Sequence, residues 1–338
     1  REKNILNFKK KFISDKIRLG LGLIFHITPS NIPTNFAYSL IFGLITGNSN
    51  IVKVPSKNFK QINIICETLK KVLKKKKYNS VKKMISIVKY SNNEIYTKKI
   101  SSICNARLIW GGDETVKKIR NFKIQERAID IAFADRFSFS LINVEKLLKL
   151  NKYDTKQLAE KFYNDTFLVD QNACSSPHLI VWLGENIKNA RLKFWNHLYD
   201  VVKVKYEMPE IASMDKFNQL CKNILSSSNI KNQERFGNLI YTIMLKNLDK
   251  NPNNLKGKWG FFYEYETKEI NKIAKFITNK YQTLTYFGVK KEKLKNFLLN
   301  NNLSGVDRVV PIGQALDMGL NWDGYEITST LSRVVEIK

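Results

Sequence analysis

Short apolar runs alternate with amphipathic segments along the first 142 residues. The apolar runs predict strands at 21–27, 51–54, 83–89, 106–110, 129–133 and 138–142. The segments between them predict helices at 34–45, 59–77 and 93–103, and one from Asp113, as its N-cap, through Arg120. A run that is apolar throughout is typical of a parallel strand buried on both faces. Because strands and helices alternate, the pattern predicts an α/β domain with a mostly parallel sheet.

The second half of the chain shows the same alternation with longer helices. It predicts helices at 145–164, 188–203, 213–227 and 290–300, and strands at 178–183, 261–265 and 283–287. The tail is rich in strand formers and is punctuated by glycines. We therefore expect a first domain over 1–165, a second over 166–305, and a C-terminal segment over 306–338. That segment is expected to return to the first domain or to form an oligomer interface.

The composition indicates a globular protein with an unusually basic surface. Hydrophobic residues make up 43% of the 338 residues and the formal net charge is +27. Such a charge suits nucleic acid or an anionic membrane surface. The lysines, however, are scattered along the whole chain. The densest run, 70–77, lies on the predicted helix 59–77, opposite an apolar stripe, so it is interpreted as the solvated face of that helix.

Cysteine and histidine usage argues against a structural zinc site and favours a reducing, cytoplasmic setting. The four cysteines are widely spaced, none forms a CxxC pair, and there are three histidines. No apolar run approaches the roughly 20 residues of a membrane helix, so no membrane span is predicted. The chain begins at Arg1 and not at Met, which leads us to expect a missing N-terminal part.

The stretch 170–177, DQNACSSP, carries the best candidate nucleophile. Small and polar residues surround Cys174, and the strand that starts at His178 follows immediately. A thiol on a loop that enters a strand is able to face a cleft and take up an acyl group. The alternative is that Cys174 is a small buried hydrophobe, as many cysteines are. His178 either lowers the pKa of the thiol or is a partly buried strand histidine.

Two turns between a strand and a helix have features of a nucleotide site. Pro29, Ser30 and Asn31 follow the first strand, and the glycine pair before Asp113 follows the fourth. Ligands of open α/β sheets bind at the carboxyl ends of strands, and the next helix offers free N–H groups. Lys53, at the end of the second strand, is placed to contact a ribose or phosphate. No GxGxxG fingerprint is present, so plain turns and an edge lysine are the alternatives.

Together these stretches resemble the LuxC-type acyl reductases, a family within the aldehyde dehydrogenase superfamily. The matching motifs are PSNIP (29–33), GNSNIVK (47–53), WGGD (110–113), FADR (133–136), ACSSP (173–177), DRVVPIGQAL (307–316) and WDGY (322–325). They span nearly the whole chain in the family's order. The resemblance implies an aldehyde-dehydrogenase-like fold, with a Rossmann-type cofactor domain and an α/β catalytic domain.

The resemblance also implies roles for single residues. Cys174 matches the catalytic thiol, and Asn31 matches the asparagine whose amide helps to hold the oxyanion. Lys53 matches the lysine at the adenosine ribose. The turn beside the pyrophosphate and nicotinamide is matched by Gly111, Gly112 and Asp113, with Pro29 and Ser30 on the neighbouring turn. Many NAD-linked relatives carry a glutamate where this chain has Ser56, followed by Lys57; because a carboxylate would repel a 2′-phosphate, NADPH is predicted.

The implied reaction is the NADPH-dependent reduction of an acyl thioester to an aldehyde through a Cys174 acyl-enzyme. Acyl-CoA or an acylated partner protein would supply the acyl group, as in fatty acid reductase complexes of bioluminescence systems, and a homo-oligomer without nucleic acid is expected. Glu126 and Asp135 are the nearest carboxylates for a general base, and neither matches the family's pattern. The alternatives are an acyl-phosphate reductase of the same superfamily and a non-catalytic basic binding protein.

Overall fold

The computed structural model describes residues 16–91 and 94–337. The chain forms two compact units, which divide between Asp135 and Arg136 and again between Asp317 and Met318. The first unit is therefore built from two separate segments, and the second is continuous. Among the described residues, no helix combines the length and the apolar character that crossing a membrane requires.

The first unit contains a five-stranded parallel sheet. Its elements up to residue 135 are β1 (Lys16–Gly20), β2 (Leu23–Ile27), α1 (Asn35–Ile45), β3 (Ser49–Lys53), α2 (Lys60–Leu73), α3 (Asn79–Lys83), β4 (Ile85–Val88), α4 (Glu94–Ile103), β5 (Ala106–Trp110), α5 (Asp113–Arg120) and β6 (Ile129–Phe133). The strand order is β4-β3-β2-β5-β6, and every pair is parallel. The direction of winding reverses between β2 and β5, as in Rossmann-type sheets.

The second unit contains a seven-stranded sheet. Its elements are β7 (Phe137–Asn143), α6 (Val144–Leu148), α7 (Lys152–Thr166), β8 (Pro177–Leu183), α8 (Ile187–Lys205), α9 (Glu210–Ser226), β9 (Ile230–Phe236), β10 (Ile240–Leu245), β11 (Phe261–Thr267), β12 (Tyr281–Phe287), α10 (Lys291–Asn300) and β13 (Arg308–Pro311). The order is β13-β12-β7-β8-β11-β10-β9, parallel except for β9. Side chains of β8 alternate between two core clusters, one on each face of the sheet.

The chain then returns to the first unit with β14 (Asn321–Trp322), β15 (Tyr325–Glu326), α11 (Ile327–Thr330) and β16 (Ser332–Glu336). The last of these strands pairs with β1 in an antiparallel ribbon. Trp322, Ile327 and Leu331 share a core cluster with residues of β2 and β5. The Nδ2 of Asn48 donates to the carbonyl oxygen of Leu331 at 2.9 Å. The returning segment is thus part of the core of the first unit.

The predicted α/β class, with a Rossmann-type sheet in the first part, is confirmed, whereas several boundaries differ. The units divide after Asp135, earlier than the expected boundary at 165/166, because β7 is buried in the core clusters of the second unit. The helix predicted at 145–164 is two helices, since Asn151 caps the second by accepting from the Asp154 N–H at 2.8 Å. The antiparallel pair of β9 and β10 was not predicted.

The run of lysines at 70–77 is solvent-exposed, as predicted. The opposite stripe of α2 packs into a cluster through Ile62, Ile65 and Leu69, although Val72 is 42% exposed. The helix ends at Leu73, before the last four lysines of the run.

Candidate functional site

The loop that carries Cys174 follows α7 and a short 3₁₀ turn at Phe167–Val169. Asp170 and Gln171 both have left-handed backbones, with φ of 52° and 57°. Two such residues in succession reverse the chain. This left-handed conformation is uncommon for residues other than glycine. The next turn has Cys174 and Ser175 at its centre and is closed by the Ser176 N–H, which donates to the Ala173 carbonyl at 2.9 Å. The thiol residue therefore sits at the second position of a β-turn that leads into β8.

Gln171 fixes this loop to the sheet of the second unit. Its side chain is 2% exposed. Its Oε1 accepts from the backbone N–H groups of Gly260 at 2.8 Å and Phe261 at 3.1 Å. Its Nε2 donates to the carbonyl oxygens of Pro177 and Phe261, both at 3.3 Å. All the hydrogen-bonding positions of this buried amide are directed at backbone groups on the loop side of β8 and β11.

Ser138 on β7 holds the turn from the other side. Its Oγ accepts from the Thr283 N–H of β12 at 3.1 Å and donates to the carbonyl oxygen of Cys174 at 2.6 Å. A hydroxyl has a single proton, so the bond from Thr283 leaves that proton for the Cys174 carbonyl. Ser138 is fully buried, and the bond ties the peptide group of Cys174 to the neighbouring strand.

Cys174 is partly exposed on a loop that is otherwise mostly buried. Ala173, Ser175 and Ser176 are all buried around it. Burial raises the pKa of the Cys104 thiol to about 11, and that thiol is inaccessible. Desolvation also raises the pKa of the Cys66 thiol. Cysteine reactivity requires both access and thiolate formation, and the structure gives Cys174 access on a fixed backbone.

His178 lies within β8 and is 5% exposed. Its Nδ1 accepts from the Gly257 N–H at 3.3 Å, and its ring stacks on Phe137 with centroids 5.7 Å apart. The structure therefore shows it as a buried strand histidine that contacts backbone and an aromatic ring.

The predicted cofactor residues of the first unit lie at or just beyond the carboxyl ends of neighbouring strands of its sheet. In the register, Ile27 of β2 lies opposite Lys53 of β3 and Ile109 of β5. The turns 29–31 and 111–113 thus follow neighbouring strands, at the position where the winding direction reverses. Such a reversal leaves a crevice at the carboxyl ends of the strands, where nucleotides bind in open α/β sheets. The structure brings together Pro29, Ser30, Asn31, Lys53 and Gly111 with the residues that follow them.

Lys53 and its neighbours differ in exposure. The Nζ of Lys53 lies 5.1 Å from the centre of the Tyr90 ring, and burial lowers the pKa of this lysine. Ser56 and Lys57 are exposed beyond the strand end, and the Nζ of Lys57 lies 5.7 Å from the Phe59 ring. A half-buried ammonium and an exposed one thus lie close in sequence, with no carboxylate at residues 53–57.

The glycine pair after β5 precedes helix α5. Gly112 is the N-cap, with φ −65° and ψ 163°, and Asp113 is the first helical residue. The prediction that Asp113 is the N-cap is therefore wrong; its carboxylate instead lies in the first turn, where the helix dipole favours negative charge. A Cβ placed on Gly112 would meet nothing within 4 Å. Neither the backbone angles nor packing requires glycine there. The space in front of the helix is open.

A sequence model described as acyl-CoA reductase (LuxC) matches residues 2–334. The chain belongs to the LuxC family. It is 24% identical over 169 residues to a long-chain acyl-protein thioester reductase of Aliivibrio fischeri, which covers 49% of this chain and 33% of that protein. A second such reductase, from Photobacterium leiognathi, is 24% identical over 171 residues, 50% of this chain and 34% of that protein. The matches therefore span about a third of each curated relative.

This LuxC chain also has an aldehyde-dehydrogenase-like fold. A glyceraldehyde-3-phosphate dehydrogenase from Methanocaldococcus jannaschii, solved with NADP, superposes with a TM-score of 0.64, 16% identity, and coverage of 95% of this chain and 73% of that one. An aldehyde dehydrogenase from Physcomitrella patens gives a TM-score of 0.66 at 12% identity, covering 95% and 69%. The resemblance inferred from the motifs is confirmed for family and fold.

Two residues of the LuxC chain that fix the Cys174 loop, Gln171 and Ser138, were not predicted. Gln171 lies within the stretch singled out for its cysteine, and an amide beside a suspected nucleophile is a usable signal. Ser138 lies 36 positions before its partner, on a strand apolar enough to be interpreted only as core. No metal site was predicted, and the described residues contain no group of three or more His, Cys, Asp or Glu placed to hold a metal.

Proposed function

We propose that this chain reduces an acyl thioester to an aldehyde, with Cys174 as the nucleophile and NADPH as the hydride donor. The observation that carries the proposal is the partly exposed Cys174 at the centre of a turn whose neighbours are buried and hydrogen-bonded. Membership of the LuxC family supports the reaction class. The name of the curated relatives supports an acyl thioester as the substrate.

The first half of the reaction needs only groups of this chain. The Cys174 thiolate attacks the thioester carbonyl carbon, the new C–S bond forms, and the carbonyl π electrons move to oxygen. In this proposal the oxyanion accepts hydrogen bonds from the Cys174 N–H and the Asn31 amide. As the carbonyl re-forms, the bond to the carrier sulfur breaks and the carrier leaves as a thiolate. Because one thiolate replaces another, no general base is needed, which fits the lack of a matching carboxylate at Glu126 or Asp135.

The residues at the carboxyl edge of the first sheet fit a nicotinamide dinucleotide phosphate. The open space at Gly112 leaves room for a pyrophosphate against the first N–H groups of α5. In this proposal Lys53 contacts the ribose, and Ser56 with the exposed Lys57 offers a hydroxyl and a cation, and no carboxylate, to a 2′-phosphate. When bound, NADPH would supply the hydride that converts the acyl group on Cys174 to the aldehyde level.

We propose acyl-CoA or an acylated protein as the carrier, because a thiol leaving group is common to both. A homo-oligomer in the cytoplasm is proposed on the resemblance to the family. None of the four cysteines forms a disulfide, which is typical of a reducing compartment.

The test is to trap the acyl-enzyme. The protein is mixed with a panel of acyl-CoA chain lengths without NADPH, and its intact mass is measured with time. We expect one acyl group on the wild type and none on Cys174→Ala. Cys221→Ala is the matched control, since Cys221 is also a partly exposed thiol, and it should acylate normally. Adding NADPH should then discharge the adduct and release aldehyde.

An acyl group that remains on Cys174→Ala would contradict the assigned nucleophile. If the wild type takes up no acyl group from thioesters but does so from an acyl phosphate, the alternative acyl-phosphate reductase replaces the proposal. A protein that forms no adduct and binds no nicotinamide cofactor would instead favour the non-catalytic basic binding protein.

A further inference from the structure

We propose that the backbone N–H of Ser175 is an oxyanion donor and that Ser138 is the positioning residue that orients it. The inference rests on the proposed function, because it concerns the acylation of Cys174. It arises from one backbone group. Ser175 is 2% exposed, and its N–H has no hydrogen-bond partner among the residues that the structure describes. Buried N–H groups without a partner are rare and call for an explanation.

The position of this N–H in the turn makes it available to a ligand. Ser175 is the third residue of the β-turn that Ser176 closes onto Ala173. The closing bond uses the N–H of Ser176, so the N–H of Ser175 stays outside the turn's own hydrogen bond. In α/β-hydrolases the N–H of the residue after the nucleophile is an oxyanion donor. Ser175 has that relation to Cys174.

Ser138 determines the direction of this donor. The carbonyl of Cys174 and the N–H of Ser175 belong to one planar peptide group, in which they point in opposite directions. The Ser138 hydroxyl donates to that carbonyl at 2.6 Å and is itself fixed by the Thr283 N–H. Holding the carbonyl on the β7 side therefore directs the N–H away from β7. Such preorganised donors stabilise a developing oxyanion without further rearrangement.

A second polar group in the same turn also lacks a partner. The Oγ of Ser176 is fully buried and forms no hydrogen bond within the described part of the chain. Two successive residues after the nucleophile thus carry unpaired polar groups, while Gln171, three positions before it, is fully paired. The unpaired groups are concentrated on the carboxyl side of Cys174, where a bound carbonyl group would find donors.

The direct test replaces the amide at Ser175 with an ester by incorporating the α-hydroxy analogue of serine, which removes the N–H alone. The rate of acyl-enzyme formation is measured with the acyl-CoA that acylates the wild type fastest. It is compared with the rate of alkylation of Cys174 by iodoacetamide, which forms no oxyanion. We expect acylation to slow about a hundredfold. Alkylation should stay within about twofold, since the thiol itself is unchanged.

The control for the ester is the same replacement at Ser228, an exposed turn residue whose N–H also lacks a partner among the residues described. Its acylation rate should equal that of the wild type. Ser138→Ala should slow acylation about tenfold and leave alkylation unchanged, and Ser138→Thr should restore the rate. The matched control there is Ser140→Ala, since Ser140 is fully buried on the same strand and bonds to the hydroxyl of Thr285.

Each outcome separates this inference from the proposed function. If the wild type acylates and the Ser175 ester acylates as fast, the inference fails and the proposed function stands. If acylation and alkylation of the ester variant fall together, the N–H only maintains the turn and the inference fails. A wild type that takes up no acyl group overturns both. The ester at Ser175 decides the matter even if Ser138→Ala does not fold.

Discussion

The two groups of proposed site residues are held in opposite ways. In the first unit, Ser30, Asn31, Ser56, Lys57, Gly112 and Asp113 are exposed at strand ends. In the second, Gln171, Ala173, Ser175 and Ser176 are buried around Cys174, and the loop is tied to β7, β8 and β11. Packing constrains residue choice in the second group and hardly constrains it in the first. Substitutions of the exposed site residues in the first unit should therefore change ligand binding alone. Most substitutions around Cys174 should change stability as well.

Gln171→Ala should give the largest effect. It would leave the Gly260 N–H without its acceptor in a buried site and remove the hydrogen bonds to Pro177 and Phe261, at a cost of about 4 kcal/mol in the free energy of unfolding. Urea denaturation measures this loss. Gln219→Ala, on α9, removes an amide that donates to the Lys256 carbonyl at 2.7 Å in a partly buried site, and it should cost less. Equal losses in the free energy of unfolding for the two variants would show that Gln171 is no more important for stability than a partly buried amide elsewhere.

Ser56→Glu should reverse the proposed preference for NADPH. A carboxylate at this exposed position repels a 2′-phosphate and accepts hydrogen bonds from ribose hydroxyls. The ratio of kcat/KM for NADPH to that for NADH should fall about a hundredfold, or about 2.7 kcal/mol, with an unchanged melting temperature. The control is Ser80→Glu, which makes the same charge change at an exposed site on α3. An unchanged ratio in Ser56→Glu would refute the assigned phosphate contact.

Gly112→Ala should weaken cofactor binding without affecting the fold. The backbone angles suit alanine, and its Cβ would enter open space. We expect the dissociation constant for NADPH to rise about tenfold, equal to about 1.4 kcal/mol. Gly260→Ala shows the opposite case, because there φ is +85° and a Cβ would lie 2.3 Å from the Leu239 carbonyl oxygen. Thermal unfolding with and without NADPH separates the two effects; a destabilised Gly112→Ala would show that packing, too, constrains this turn.

Ser176→Ala should produce the smallest change in stability. Its buried hydroxyl has no partner within the described chain, so replacing that hydroxyl with hydrogen removes no hydrogen bond. The free energy of unfolding should rise by up to about 1 kcal/mol, as measured by denaturant titration. Thr242→Val, which replaces another unpaired buried hydroxyl, on β10, with a methyl group of similar size, should behave similarly in stability. A clear destabilisation of Ser176→Ala would mean that its hydroxyl does have a stabilising partner.

The sequence was informative where local pattern decides structure. The bounds of β5 and β6 were predicted correctly, because a buried parallel strand is an apolar run between turns. The polar edge strand β9 has no such signal, and the break before α7 depends on one capping asparagine. Cys174 and the strand-end turns were proposed as site residues because of their motifs. Ser138 was not, since its role depends on which strands become neighbours.

The split construction of the first unit affects how the protein is made. Residues 318–337, which complete the core around Trp322 and Leu331, are translated after the entire second unit. Domains generally fold as units while they are synthesised. On the ribosome, the second unit can therefore reach its final structure while the apolar surface beneath β14–β16 is still uncovered. Newly made chains must keep that surface from aggregating until the returning segment arrives.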